Sequence, residues 1–136
     1  MIYLSGVQAL NIENSLNTCG DWHQTAIQWD KLKLKESNDS IFKDWGIELD
    51  KKVPDHTEHY AVANDLRAIL DLMVDGQTRW LKGFSNDFIC TDEYNEIFFE
   101  QVIKLKGLPN WDDINKLMQN EFMWDWDRFV KEHMQS

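Results

Sequence analysis

The chain has 136 residues, and its 24 acidic residues outnumber its 14 basic ones to give a net charge of −10. That length suits one domain, residues 1–136, with a core that needs no disulfide or metal staple. The charge argues against a binder of duplex DNA or of an anionic membrane, because phosphate recognition needs a basic footprint.

No apolar run is long enough to span a bilayer and the N-terminus lacks the pattern of a signal peptide, so a cytoplasmic location is expected. Cys19 and Cys90 match neither a disulfide framework nor a structural zinc site. No metal and no cofactor are expected.

Along the chain, Ile2 and Leu4 alternate with their neighbours as a half-buried strand does. Asn11 to Gly20 is rich in Asn, Gly, Ser and Thr and reads as loop. The segments His23–Trp29 and Lys31–Lys35 alternate in opposite phase, so a bend or bulge is expected near Asp30. Glu36–Ser40 is a polar connection, with Phe42, Trp45 and Ile47 as an apolar patch beyond it.

After Pro54 the period becomes helical. Tyr60, Ala63, Leu66, Ile69, Leu70 and Met73 recur at three- and four-residue spacing, with Asp55 or Thr57 as the cap and Gly76 as the stop. A second helix is expected from Thr91 to about Gly107, burying Tyr94, Ile97, Phe98 and Val102. Asn110 caps a third, with Trp111, Ile114, Leu117 and Met118 inward. A last helix carries Phe122, Trp126, Phe129 and Val130. Gln77–Cys90 suits either a short helix or a packed loop. The fold class is therefore mainly α, with α+β as the alternative: three or four packed helices and a small extended or β N-terminal part. The core should include Leu66, Ile69, Leu70, Ile97, Phe98, Val102, Ile114 and Leu117.

Three groups of residues bear on chemistry. In Cys19-Gly20-Asp21-Trp22-His23, Asp21 and His23 point to one side of an extended chain, where a carboxylate can orient an imidazole. The competing reading is a Gly-Asp turn leading into packed, hydrogen-bonded side chains. His56 and His59 stand three apart on what would be a first helical turn, a spacing metals use, although solvated side chains at a helix start explain them as well. Arg128 and His133 enclose four residues, formally the Arg-x(4–6)-His signature of the all-helical HEPN ribonucleases. Five residues on a straight helix separate that pair by about 140°, which weakens the match.

The seven Trp residues are too many for a small core to hide. In Trp124-Asp125-Trp126-Asp127 the two indoles face different sides of a helix, so at least one should lie outside the main core. An exposed Trp beside acidic residues is what a protein-binding surface uses.

The blocks Tyr3-Leu4-Ser5-Gly6-Val7-Gln8-Ala9-Leu10-Asn11-Ile12 and Leu16-Asn17-Thr18-Cys19-Gly20-Asp21-Trp22-His23 resemble the opening of a family of small bacterial proteins. Asn64-Asp65-Leu66-Arg67-Ala68 and Asn86-Asp87-Phe88-Ile89-Cys90 resemble its later blocks. Members of that family are encoded beside nucleotidyltransferase-fold toxins of the AbiE type. The resemblance implies an antitoxin, or antitoxin-like partner, of such a toxin in a phage-defence operon. The chain does not resemble the winged-helix antitoxin usual in AbiE pairs.

The expected function is accordingly protein binding rather than catalysis, through Asp21, Trp22, His23, Trp124, Trp126 and Asp127. A nucleotidyltransferase-type toxin is the expected partner, and neither duplex DNA nor a membrane is. The alternatives are a small ribonuclease using Arg128 and His133, and an acidic mimic of nucleic acid.

Overall fold

The computed structural model describes residues 1–16, 27–85 and 92–133. Its elements in chain order are β1 (Ile2–Leu4), α1 (Gly6–Leu10), β2 (Leu34–Glu36), β3 (Ile47–Lys52), β4 (His59–Ala63), α2 (Asp65–Val74), α3 (Asn95–Val102), α4 (Trp111–Phe122) and α5 (Trp124–His133). The fold is α+β. The strands form one sheet in the order β2-β1-β4-β3, with β1 antiparallel to β2 and parallel to β4, and β4 antiparallel to β3.

The sheet is larger than an N-terminal fragment. Residues 47–63 supply half of its strands, although the pattern after Pro54 was expected to be helical. Tyr60 and Ala63 belong to β4, and the helix begins only at Asp65. Its cap is Asn64, whose side chain accepts the amide of Arg67 at 2.9 Å, rather than Asp55 or Thr57. Gly76 ends the helix with φ +77, a left-handed conformation that glycine adopts without a Cβ penalty.

Central strand β1 is closed on both faces, with Tyr3 and Leu4 at 1% and 0% exposure. Tyr3 reaches α2 and joins a buried polar knot. Arg67, fully buried, donates through Nε to Asp71 at 3.1 Å and through Nη2 to the Tyr3 hydroxyl at 3.0 Å. Its Nη1 donates to the carbonyls of Lys43 and Trp45. The hydroxyls of Tyr3 and Ser5 each donate to Asp71 Oδ2 at 2.6 Å. β1, the 41–46 turn and α2 are thereby tied to one guanidinium.

Gly46 makes this approach feasible. It holds φ +74, and a Cβ there would stand 2.7 Å from Cβ of Arg67. Its carbonyl also accepts the amide of Asn64 at 2.7 Å. Two residues on, at the start of β3, the carboxyl of Glu48 is pushed up by partial burial, but the hydroxyl and amide of Ser15, together with Lys51, outweigh that and hold it below its usual range.

The helical half closes on aromatic rings. Phe99 meets Phe122, Trp126 and Phe129 at centroid distances of 4.9, 5.3 and 5.5 Å. Phe84 meets Phe98 and Phe122, both at 5.7 Å. Of the expected core, Leu66, Ile69, Leu70, Phe98, Val102, Ile114 and Leu117 are buried, whereas Ile97 is 48% exposed. The run Ile97-Phe98-Phe99 fits two helical phases, and the phase that brings Phe99 to the three rings of α4 and α5 turns Ile97 outward. α3 begins at Asn95 rather than Thr91.

Asn110 precedes α4 but does not cap it with its side chain. Its amide instead donates to the Met73 carbonyl at 2.8 Å and docks α4 on the end of α2. Among the described residues no helix is long and apolar enough to cross a membrane.

Candidate binding surface

α4 and α5 are separate helices, broken at Met123. That residue adopts φ 48 and ψ −116, an unusual conformation for a side chain with a Cβ. The break reorients the chain so that Trp126 falls inside and Trp124 outside. Trp126 is fully buried and its indole N–H donates to Asn115 at 2.9 Å, so a buried aromatic keeps its polar atom satisfied. Trp124 is 84% exposed and Met123 65% exposed.

Asp125 and Asp127 lie in the first turn of α5, where carboxylates favour the helix dipole, and both are exposed. The result is an apolar pair, Met123 and Trp124, set in acidic surroundings. Of the residues expected on the contact surface, the structure brings Trp124 and Asp127 together on the outside of α5. Trp126 belongs to the core instead, because indoles two apart on a helix cannot share a face. Asp21, Trp22, His23, Cys19 and Cys90 lie outside the described residues.

Arg128 and His133 engage in local contacts. Arg128 Nη2 lies 3.2 Å from Asp125 in an exposed pair. His133 stacks on Phe129 at 3.9 Å between ring centroids, and its Nδ1 is 2.9 Å from the Phe129 carbonyl. His56 and His59 do not share a helical turn as the spacing suggested. His56 contacts the carbonyl of Trp29 at 2.6 Å and the hydroxyl of Tyr60 at 3.3 Å. His59 opens β4 and pairs with Asp50 at 3.0 Å. Among the described residues no cluster of three or more His, Cys, Asp or Glu could hold a metal ion.

A second feature went unnoticed in the sequence. Residues of α1, the 27–35 segment, the end of α2 and Trp80 enclose a cleft of about 560 Å³. The Lys31-Leu32-Lys33-Leu34-Lys35 alternation was its visible signal, since all three lysines line it. Their apolar companions come from distant parts of the chain.

Comparison with protein-family models, curated proteins and solved structures finds no match.

Proposed function

We propose that the chain is a protein-binding module, an antitoxin-like partner that neutralises a nucleotidyltransferase-fold toxin in a bacterial defence operon. The observation that supports it is the exposed Met123–Trp124 pair, flanked by Asp125 and Asp127 on an acidic chain. Aromatic anchors supply most of the energy of protein interfaces, and a rim of charge steers a partner of opposite sign. A toxin that handles nucleotide phosphates presents a basic cleft, and an acidic partner with an indole at its tip is suited to occlude it. The toxin class itself rests on the sequence resemblance.

The test is to express the tagged chain from its native locus with its neighbouring genes intact, isolate any complex with a nucleotidyltransferase-type protein, and measure its affinity by calorimetry at low and high salt. Trp124→Ala should weaken binding by about 2 kcal/mol or more, roughly thirtyfold, while leaving the fold intact. Binding that survives high salt fits an aromatic anchor. Binding that collapses with salt and ignores Trp124 would favour the acidic mimic. Failure of the two proteins to associate at all would overturn the reading.

A further inference from the structure

On a chain with net charge −10, one cleft gathers lysines. Lys35 is already partnered, by Asp75 at 2.8 Å. Lys31 and Lys33 are exposed and make no ion pair among the described residues. The backbone that presents them is fixed from within. Gln8, only 9% exposed, donates through Nε2 to the carbonyls of Gln28 and Lys31 at 3.1 and 3.0 Å. Its Oε1 accepts the amide of Lys33 at 2.9 Å. One buried side chain thus sets three backbone groups of the lysine-bearing segment.

The cleft also has an apolar part. Val7, Leu72 and the indole of Trp80, 43% exposed, contribute to its lining. The guanidinium of Arg79 lies 5.3 Å from the Trp80 ring centroid and brings a further positive charge beside the indole. The volume falls in the range of small-molecule sites, roughly 300–1,000 Å³.

We infer that this cleft binds a nucleoside phosphate, its phosphates on Lys31 and Lys33 and its base against Val7, Leu72 and Trp80. A bare inorganic anion leaves the apolar lining unused, and an uncharged aromatic leaves the two unpaired ammonium groups unused. A base carrying phosphates uses both, since stacking on an indole is tolerant of base identity and ammonium groups serve phosphate as point charges. A large polyanion would meet the acidic remainder of the surface, whereas a small anion within a Debye length responds to the local lysines. The carboxylate of Asp75 also lines the cleft and offers an acceptor to a sugar hydroxyl or an exocyclic amine.

The experiment titrates ATP into the whole chain and follows it by calorimetry and tryptophan fluorescence, with adenosine and inorganic pyrophosphate as part-ligands. Saturable ATP binding is expected, tighter than either part-ligand. The double variant Lys31→Gln/Lys33→Gln should weaken it by about tenfold or more, with an unchanged circular dichroism spectrum because both side chains are exposed. Trp80→Leu should weaken ATP and leave pyrophosphate unaffected.

Absence of saturation at millimolar ATP would overturn the inference. So would equal affinity for ATP and pyrophosphate, which would mark a bare anion site, or affinity indifferent to the lysine pair. The cleft lining shares no residue with the Met123–Asp127 surface, so neither result bears on the toxin-binding reading.

Discussion

Around Arg67, three other side chains and two backbone carbonyls exchange hydrogen bonds at a fully buried guanidinium. Around Phe99, three rings meet it edge to face, and of their side chains Trp126 carries a polar atom, satisfied by Asn115. The first arrangement joins three segments of the sheet half, and the second joins three helices.

The two kinds of closure fail differently. Apolar packing is non-directional and roughly proportional to area, so a ring replaced by another hydrophobe of similar size keeps most of its worth. A buried charge network depends on every partner, because a lost one leaves another uncompensated. Conservative change should therefore be tolerated near Phe99 and punished near Arg67.

The largest effect is expected from Arg67→Ala, which leaves the buried Asp71 carboxylate without its countercharge and two carbonyls without their donor. Urea denaturation should show a loss of about 3–5 kcal/mol, a large share of the roughly 5–15 kcal/mol that holds a domain together. The double variant Arg67→Met/Asp71→Leu should cost less than Arg67→Ala alone, because it removes both buried charges. If it cost more, the ion pair would contribute net stability in its own right.

Removing one oxygen sharpens the point. Tyr3→Phe leaves Arg67 and Asp71 each one partner short, which should cost about 1–3 kcal/mol. The same hydroxyl makes the knot sensitive to alkali. Burial, with the Asp71 carboxylate beside it, holds the Tyr3 phenol protonated well above its ordinary pKa of 10.0. Folding therefore favours the neutral phenol. That contribution is complete below about pH 10 and is lost as pH rises toward the folded-state value. Thermal melts of the natural chain should fall steeply above about pH 10, and those of Tyr3→Phe should fall less.

In the aromatic half, Phe99→Leu should cost about 1.5 kcal/mol or less by the same denaturation measurement. A cost equal to that of Arg67→Ala would erase the contrast between the halves.

These differences also set what could be read from the chain. The α2 core was legible because Leu66, Ile69, Leu70 and Met73 keep a strict helical period. β4 was not, since Tyr60 and Ala63 happen to continue that period backwards and five residues are too few to establish an alternation. β3 was hidden by the register shift between Glu48 and Lys51, which breaks its alternation.

That Trp124 and Trp126 face different sides followed from their spacing. Trp126 was expected on the contact surface, however, and which of the two is buried did not follow. The burial of Arg67 did not, because its partners outside α2 lie 22 to 64 residues away. An arginine in an amphipathic helix reads as exposed until the sheet that receives it is known. The lysine row at 31–35 was visible as a pattern, but the cleft needed Gln8, Leu72 and Trp80 from elsewhere.

The smallest expected effect is that of Met123→Gly at the junction of α4 and α5, and its contrast with Met123→Val separates local geometry from packing. Met123 holds φ 48 with its side chain 65% exposed, so the chain pays backbone strain there with little burial in return. Met123→Gly relieves that strain but adds freedom to the unfolded chain, and the two terms nearly offset. The net should lie between zero and a gain of about 1 kcal/mol. Met123→Val keeps the positive φ and adds a branch at Cβ, and it should cost about 1–3 kcal/mol. Denaturation of the pair gives the test. A marked loss in the glycine variant would mean that the methionine side chain itself holds the helices apart. Trp124 would then owe its exposure to packing, and not to the bend in the backbone.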